Sequence, residues 1–76
     1  MSGCQTVYVV FYDTSVAGVS VDVYADRQAA IEAAEKFMNE VAAHWKSTQQ
    51  LGERRDCVWS SSVGEDCAWV EDHDIR

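Results

Sequence analysis

The chain has 76 residues, with thirteen Asp and Glu against six Lys and Arg, for a net charge of -7. It is one small acidic domain, and its charge excludes nucleic acid and anionic membrane as direct partners, since both need a basic footprint. Hydrophobic residues at 47% and charged residues at 25% are globular values that exclude disorder for the body of the chain.

No apolar run reaches the roughly 18 residues of a membrane-spanning helix. The start, MSGCQTVYVV, lacks a basic n-region and enters strand-like sequence at once. The expectation is no signal peptide and a cytoplasmic protein. Three cysteines, Cys4, Cys57 and Cys67, fit reduced thiols better than a disulfide framework. A domain this short buries only about 60% of its unfolded surface. That leaves little stability to support a strained, desolvated active site, so a non-enzyme is expected.

Thr6–Asp13, TVYVVFYD, is rich in β-branched and aromatic residues and reads as a strand, apolar on both faces. Thr14–Gly18 carries turn chemistry. Val19–Ala25 alternates, with Val19, Val21 and Val23 on one face and Ser20, Asp22 and Tyr24 on the other. The two strands make a hairpin whose valine faces align. Asp26 is a suitable N-cap. From Arg27 to about Gln49 there is no Gly or Pro. Ile31, Ala34, Met38, Val41 and Trp45, flanked by Ala30 and Phe37, form an apolar stripe at helical spacing. Glu32 and Lys36 are placed as an (i, i+4) pair, and Gly52 is expected at or just past the helix end. Gly52–Asp56 is a polar connector. CVWSSS and CAWVED are two short strands around a turn at Gly64, and residues 73–76 are expected to fray.

The fold class expected is α+β, in the order ββαββ. One domain over 1–76 holds a four-stranded, mostly antiparallel sheet with one helix packed on one face. The valines of the first hairpin are the natural floor under the helix, extended by Val58, Ala68 and Val70. That leaves Tyr8, Tyr12 and Tyr24 outside. A three-residue loop, Val63–Glu65, sets Trp59 opposite Trp69. The pair then lies either on the outer face with the tyrosines, or in the core beside Trp45. An outer aromatic face of this kind marks an interaction surface.

Motifs for chemistry are absent. Cys57, Cys67 and His73 lack zinc-ligand spacing. Adjacent acids in a strand point to opposite faces, which does not suit shared acid–base work, and the D-x-D-x-D-G-type loop that calcium needs is missing. No phosphate-binding glycine loop occurs. The expectation is no cofactor, no metal and no catalytic residue.

The charge is clustered instead. Asp56, Glu65, Asp66, Glu71, Asp72 and Asp74 fall in a span without Lys or Arg, surrounding Trp69. With Tyr12 and Tyr24 they are the candidate partner-binding residues, aimed at a basic protein surface.

The size, the ββαββ order, TVYVVFYD…VSVDVYADRQAAIEAAEKFM and the acidic GEDCAWVEDHD together resemble the small acidic anti-CRISPR proteins of phages. The resemblance covers most of the chain and carries no diagnostic motif, so no residue roles transfer. It implies an inhibitor, acting in the cytoplasm of a host cell, of a nucleic-acid-targeting complex, with carboxylates placed where the target expects phosphates. Two other classes stay open. One is a homodimeric adaptor joined through the tyrosine-rich sheet face, so that the chain is a monomer or a homodimer. The other is a thiol protein using Cys57 or Cys67.

Overall fold

The computed structural model describes residues 5–15, 18–52 and 56–75. The elements are β1 (Gln5–Thr14), β2 (Gly18–Tyr24), α1 (Arg27–Trp45), β3 (Gln50–Leu51), β4 (Trp59–Val63) and β5 (Asp66–Ile75). They form an α+β fold with one helix and one five-stranded sheet, ordered β2-β1-β5-β4-β3 and antiparallel at every pairing.

The first hairpin forms as its alternation requires. Val9 pairs with Val23 and Phe11 with Val21, so the valine faces align. Asp26 caps the helix in extended conformation, its Oδ2 accepting from the Ala29 N–H at 3.0 Å. Glu32 accepts from the Gln28 amide at 3.2 Å. Ala30, Ala34 and Met38 of the stripe are fully buried.

The helix stops at Trp45 rather than near Gln49. Lys46 turns left-handed at φ 54, and its N–H reaches Ala43 O while the Ser47 N–H reaches Ala42 O. These are the paired bonds of a Schellman closure. Lys46, not Gly52, therefore ends the helix. The four residues released allow Gln50–Leu51 to pair with Ser61–Ser62 as a fifth strand, where four were expected.

The second hairpin also differs. Val63 pairs with Asp66, so the loop is the two residues Gly64–Glu65. Gly64 takes φ 59, as the first position of a tight hairpin turn requires. One residue fewer in the loop shifts the register, and a one-residue slip turns side chains to the other face. Trp59 then pairs with Val70 and Trp69 with Ser60, so the two tryptophans lie on opposite faces. β5 also continues to Ile75, pairing His73 with Val7 and Ile75 with Gln5. Residues 73–75 are strand, not a frayed tail.

The largest correction is which face the helix covers. Val10, Tyr12, Ala68 and Val70 are buried beneath α1, with Tyr8, Tyr24 and Trp59 packed around them. The expected outward tyrosine cluster is thus on the helix side. Its alternate residues, Val19, Val21 and Val23, are 63%, 49% and 62% exposed.

Candidate protein-binding face

The open side of the sheet follows from the register. Val7, Val9 and Phe11 of β1, Val19, Val21 and Val23 of β2, and Cys67, Trp69, Glu71 and His73 of β5 share it. Among the described residues, no helix or strand lies over it. At its centre Phe11 and Trp69, cross-strand partners, stack with ring centroids 5.0 Å apart and planes 10° apart. Such a pair contributes about 0.5–1.5 kcal/mol beyond its burial and holds two flat apolar surfaces rigid.

The polar atoms on this face are organised around the stack. The Trp69 indole N–H donates to Glu71 Oε2 at 2.8 Å. Glu71 Oε1 lies 2.9 Å from His73 Nε2. Residues 69, 71 and 73 are alternate positions of one strand, so period-two geometry alone aligns them. Glu71 consequently fixes the tryptophan ring while presenting negative charge beside the valines.

The other candidate residues scatter. Asp72 and Asp74 lie on the helix side of β5, opposite Tyr8 and Thr6, and both are exposed. Asp74 Oδ1 accepts from the Thr6 hydroxyl at 3.0 Å. Glu65 is exposed in the hairpin turn and Asp56 is exposed before β4. The six acids therefore do not form one continuous surface, because adjacent strand residues point apart.

Asp66 is an internal joint. It is only 5% exposed. Its Oδ1 accepts from the Ser15 backbone N–H at 2.8 Å and the Ser15 hydroxyl at 3.1 Å, and its Oδ2 accepts from the Trp45 indole N–H at 3.1 Å. The Ser15 N–H holds its carboxyl below the usual range. Burial opposes this, while the Ser15 hydroxyl, the Trp45 indole and nearby His44 add to it. The carboxylate is committed inside the fold and not presented to a partner. A cavity of about 260 Å³ beside it, lined by Ser15, Trp45, Ser47 and the Val63–Asp66 turn, is open to solvent.

Tyr12 is likewise withdrawn from the surface. It is 9% exposed, with its ring 4.6 Å from that of Phe37. Burial, the neighbouring Tyr24 and Asp22, and hydrogen bonds to both push its hydroxyl up to about 12. Tyr24 is half-buried on the same side. With Tyr12 and Tyr24 packed against the helix, there is no outward tyrosine face of the kind expected to join a homodimer.

Cys57 and Cys67 stand as thiols, while Cys4 lies outside the described residues. Cys67 and His73 share the open face but are six residues apart on one strand, roughly 20 Å. No group of three metal-ligating side chains occurs among the described residues. No helix there is long and apolar enough to cross a membrane.

No protein-family model matches this chain, no curated protein matches its sequence, and no solved structure matches its fold.

Proposed function

We propose that this chain is a non-catalytic protein-binding domain that docks through the open face of its sheet. The observation that carries this reading is the stacked Phe11–Trp69 pair set among exposed valines. A contiguous exposed apolar patch on a small domain marks an interaction site. Aromatics at the centre of a patch are the side chains most enriched in binding hot spots. The net charge of -7 supports a basic partner, because complementary fields speed encounter and suppress wrong pairings.

In its finer form, the partner is the basic DNA-binding surface of a host nucleic-acid-targeting complex of the CRISPR type, and docking inhibits it. The apolar face supplies the anchor. The exposed acids Glu65, Asp72 and Asp74, with Glu71 beside the stack, supply a surrounding negative field rather than a row of phosphate mimics.

A competition assay tests this, with a purified CRISPR effector complex, its target DNA and this protein. Val9→Lys, which places a charge in the middle of the face, should raise the half-inhibitory concentration at least ~10-fold, by desolvation of an unpaired charge. Asp72→Asn with Asp74→Asn, on the opposite side, should mainly alter on-rate and salt dependence. Circular dichroism confirms that each variant is folded. If folded Val9→Lys inhibits as well as wild type, the face does not carry binding. If the wild type leaves DNA binding untouched, the inhibitor reading falls.

A further inference from the structure

We propose that two copies of this chain join through the outer edge of β2, making one continuous antiparallel sheet with both helices on the same side. The contact is made by the backbone edge of β2, whose valines also line the docking face, and it does not depend on the partner proposed above.

β2 is the terminal strand of the sheet, with β1 on one side only. Alternate backbone N–H and C=O groups along its outer side therefore lack a strand partner among the described residues. An edge of this kind is a template for another strand unless it is blunted by proline, charged side chains, a bulge or shortness. β2 carries one such charge, Asp22 on the helix side, and none of the other devices. The chain has no proline, and GVSVDVY contains neither lysine nor arginine. Its seven residues pair with β1 in unbroken one-to-one register. Six of the seven are exposed and Tyr24 is half-buried, so the strand overhangs the helix. The opposite edge is managed differently, ending in the two-residue strand β3.

The occupant is a second copy because the strand is self-complementary. Val21 is the midpoint of Gly18–Tyr24. A two-fold axis perpendicular to the sheet at Val21 sets Val21 against its own counterpart. Val19 then faces Val23, Ser20 faces Asp22, and Gly18 faces Tyr24. Every residue of the strand is paired, valine meets only valine on the open face, and each Asp22 meets a serine. Moving the axis to Asp22 would oppose two carboxylates, which is unfavourable. Moving it to Ser20 would leave Val23 and Tyr24 unpaired. Cross-strand β-branched pairs and avoided like charges are what set a register.

Charge acts against this association, since each copy carries -7. Self-pairing should therefore strengthen as salt screens the repulsion, the opposite of the dependence expected for a basic partner.

Sedimentation equilibrium of the full chain across protein concentration and salt reads the mass directly. The expected result is a reversible species of twice the 8.5 kDa protomer mass, favoured at high salt. Val21→Lys, on an exposed position, should raise the dissociation constant at least ~10-fold by setting like charges opposite each other. Leu51→Lys, on the β3 edge, should leave it unchanged. A second measurement reads the register without weakening the strand. In a background with the three native cysteines replaced by serine, Val21→Cys should cross-link to its own counterpart under mild oxidation. Val19→Cys and Val23→Cys should cross-link only when mixed. A single 8.5 kDa species at every concentration and salt overturns the proposal. So does a dimer that resists Val21→Lys but is lost with Leu51→Lys, or efficient self-cross-linking of Val19→Cys alone.

Discussion

Replacing Asp66 by Asn should destabilise the domain more than any other single-atom change on the second hairpin. One carboxylate ties three segments: Ser15 in the turn after β1, Trp45 at the last position of the helix, and the first residue of β5. An amide in its place is neutral and presents N–H groups on one side. Whichever way it turns, donors then face donors, at Trp45 or at Ser15. Hydrogen bonds to a charged group contribute about 1.5–3 kcal/mol, and a buried donor left unpaired costs about 1–3 kcal/mol. A loss of about 2–4 kcal/mol follows. A 76-residue domain has only about 4–11 kcal/mol in all, at roughly 0.05–0.15 kcal/mol per residue. Since each kcal/mol is about 4–8 °C at this size, the melting temperature should fall by at least ~8 °C at neutral pH. The pH dependence supplies a second check. The folded-state carboxyl titrates below its ordinary value of 3.8. The stability this contributes is present above that value and is lost as pH falls through the lower folded pKa. The gap between wild type and Asp66→Asn should therefore be full at neutral pH and narrow in acid. Thermal melts by circular dichroism from neutral to about pH 3 measure both. A difference under about 2 °C at neutral pH, or one that does not narrow in acid, would refute the joint.

Met38 is fully buried at the centre of the helix stripe, so Met38→Ala should cost about 2–5 kcal/mol, read from urea midpoints. Tyr12 titrates at about 12 in the fold against an ordinary 10.0. Its contribution is therefore present below pH 10 and lost as pH rises towards the folded value, and Tyr12→Phe should lose less stability than wild type between those limits. Gly64 sits at φ 59, with open space where a β-carbon would stand. Gly64→Ala should thus cost about 1–2 kcal/mol from backbone conformation alone, and Gly64→Asn distinctly less, by paired thermal melts.

Periodicity was enough to find the two strands of the first hairpin, the capped helix and the buried Ala34 and Met38 of its stripe, because these follow from spacing within one segment, whereas Trp45 at the end of that stripe is 51% exposed. The alignment of Val9 and Phe11 with Val23 and Val21 was legible for the same reason. The end of the helix was not, because Lys46 adopts the left-handed conformation that glycine usually supplies. Nor was the fate of the tryptophans, which turns on whether the loop at Gly64 holds two residues or three. The face of the first hairpin that meets the helix was decided only in three dimensions. Both faces of β1 are apolar, and on β2 hydrophobicity alone favours the valine face over Ser20, Asp22 and Tyr24, so hydrophobicity does not account for the face chosen. Shape does: the helix presents small alanines, and the larger rings of Tyr12 and Phe37 fill the space beside them as close packing requires. The Tyr12 hydroxyl meanwhile reaches Asp22 and Tyr24 at the margin, satisfying the polar atom that burial would otherwise penalise. With the tyrosines inside, the valines had to face outward, and the candidate binding surface is the consequence of that choice.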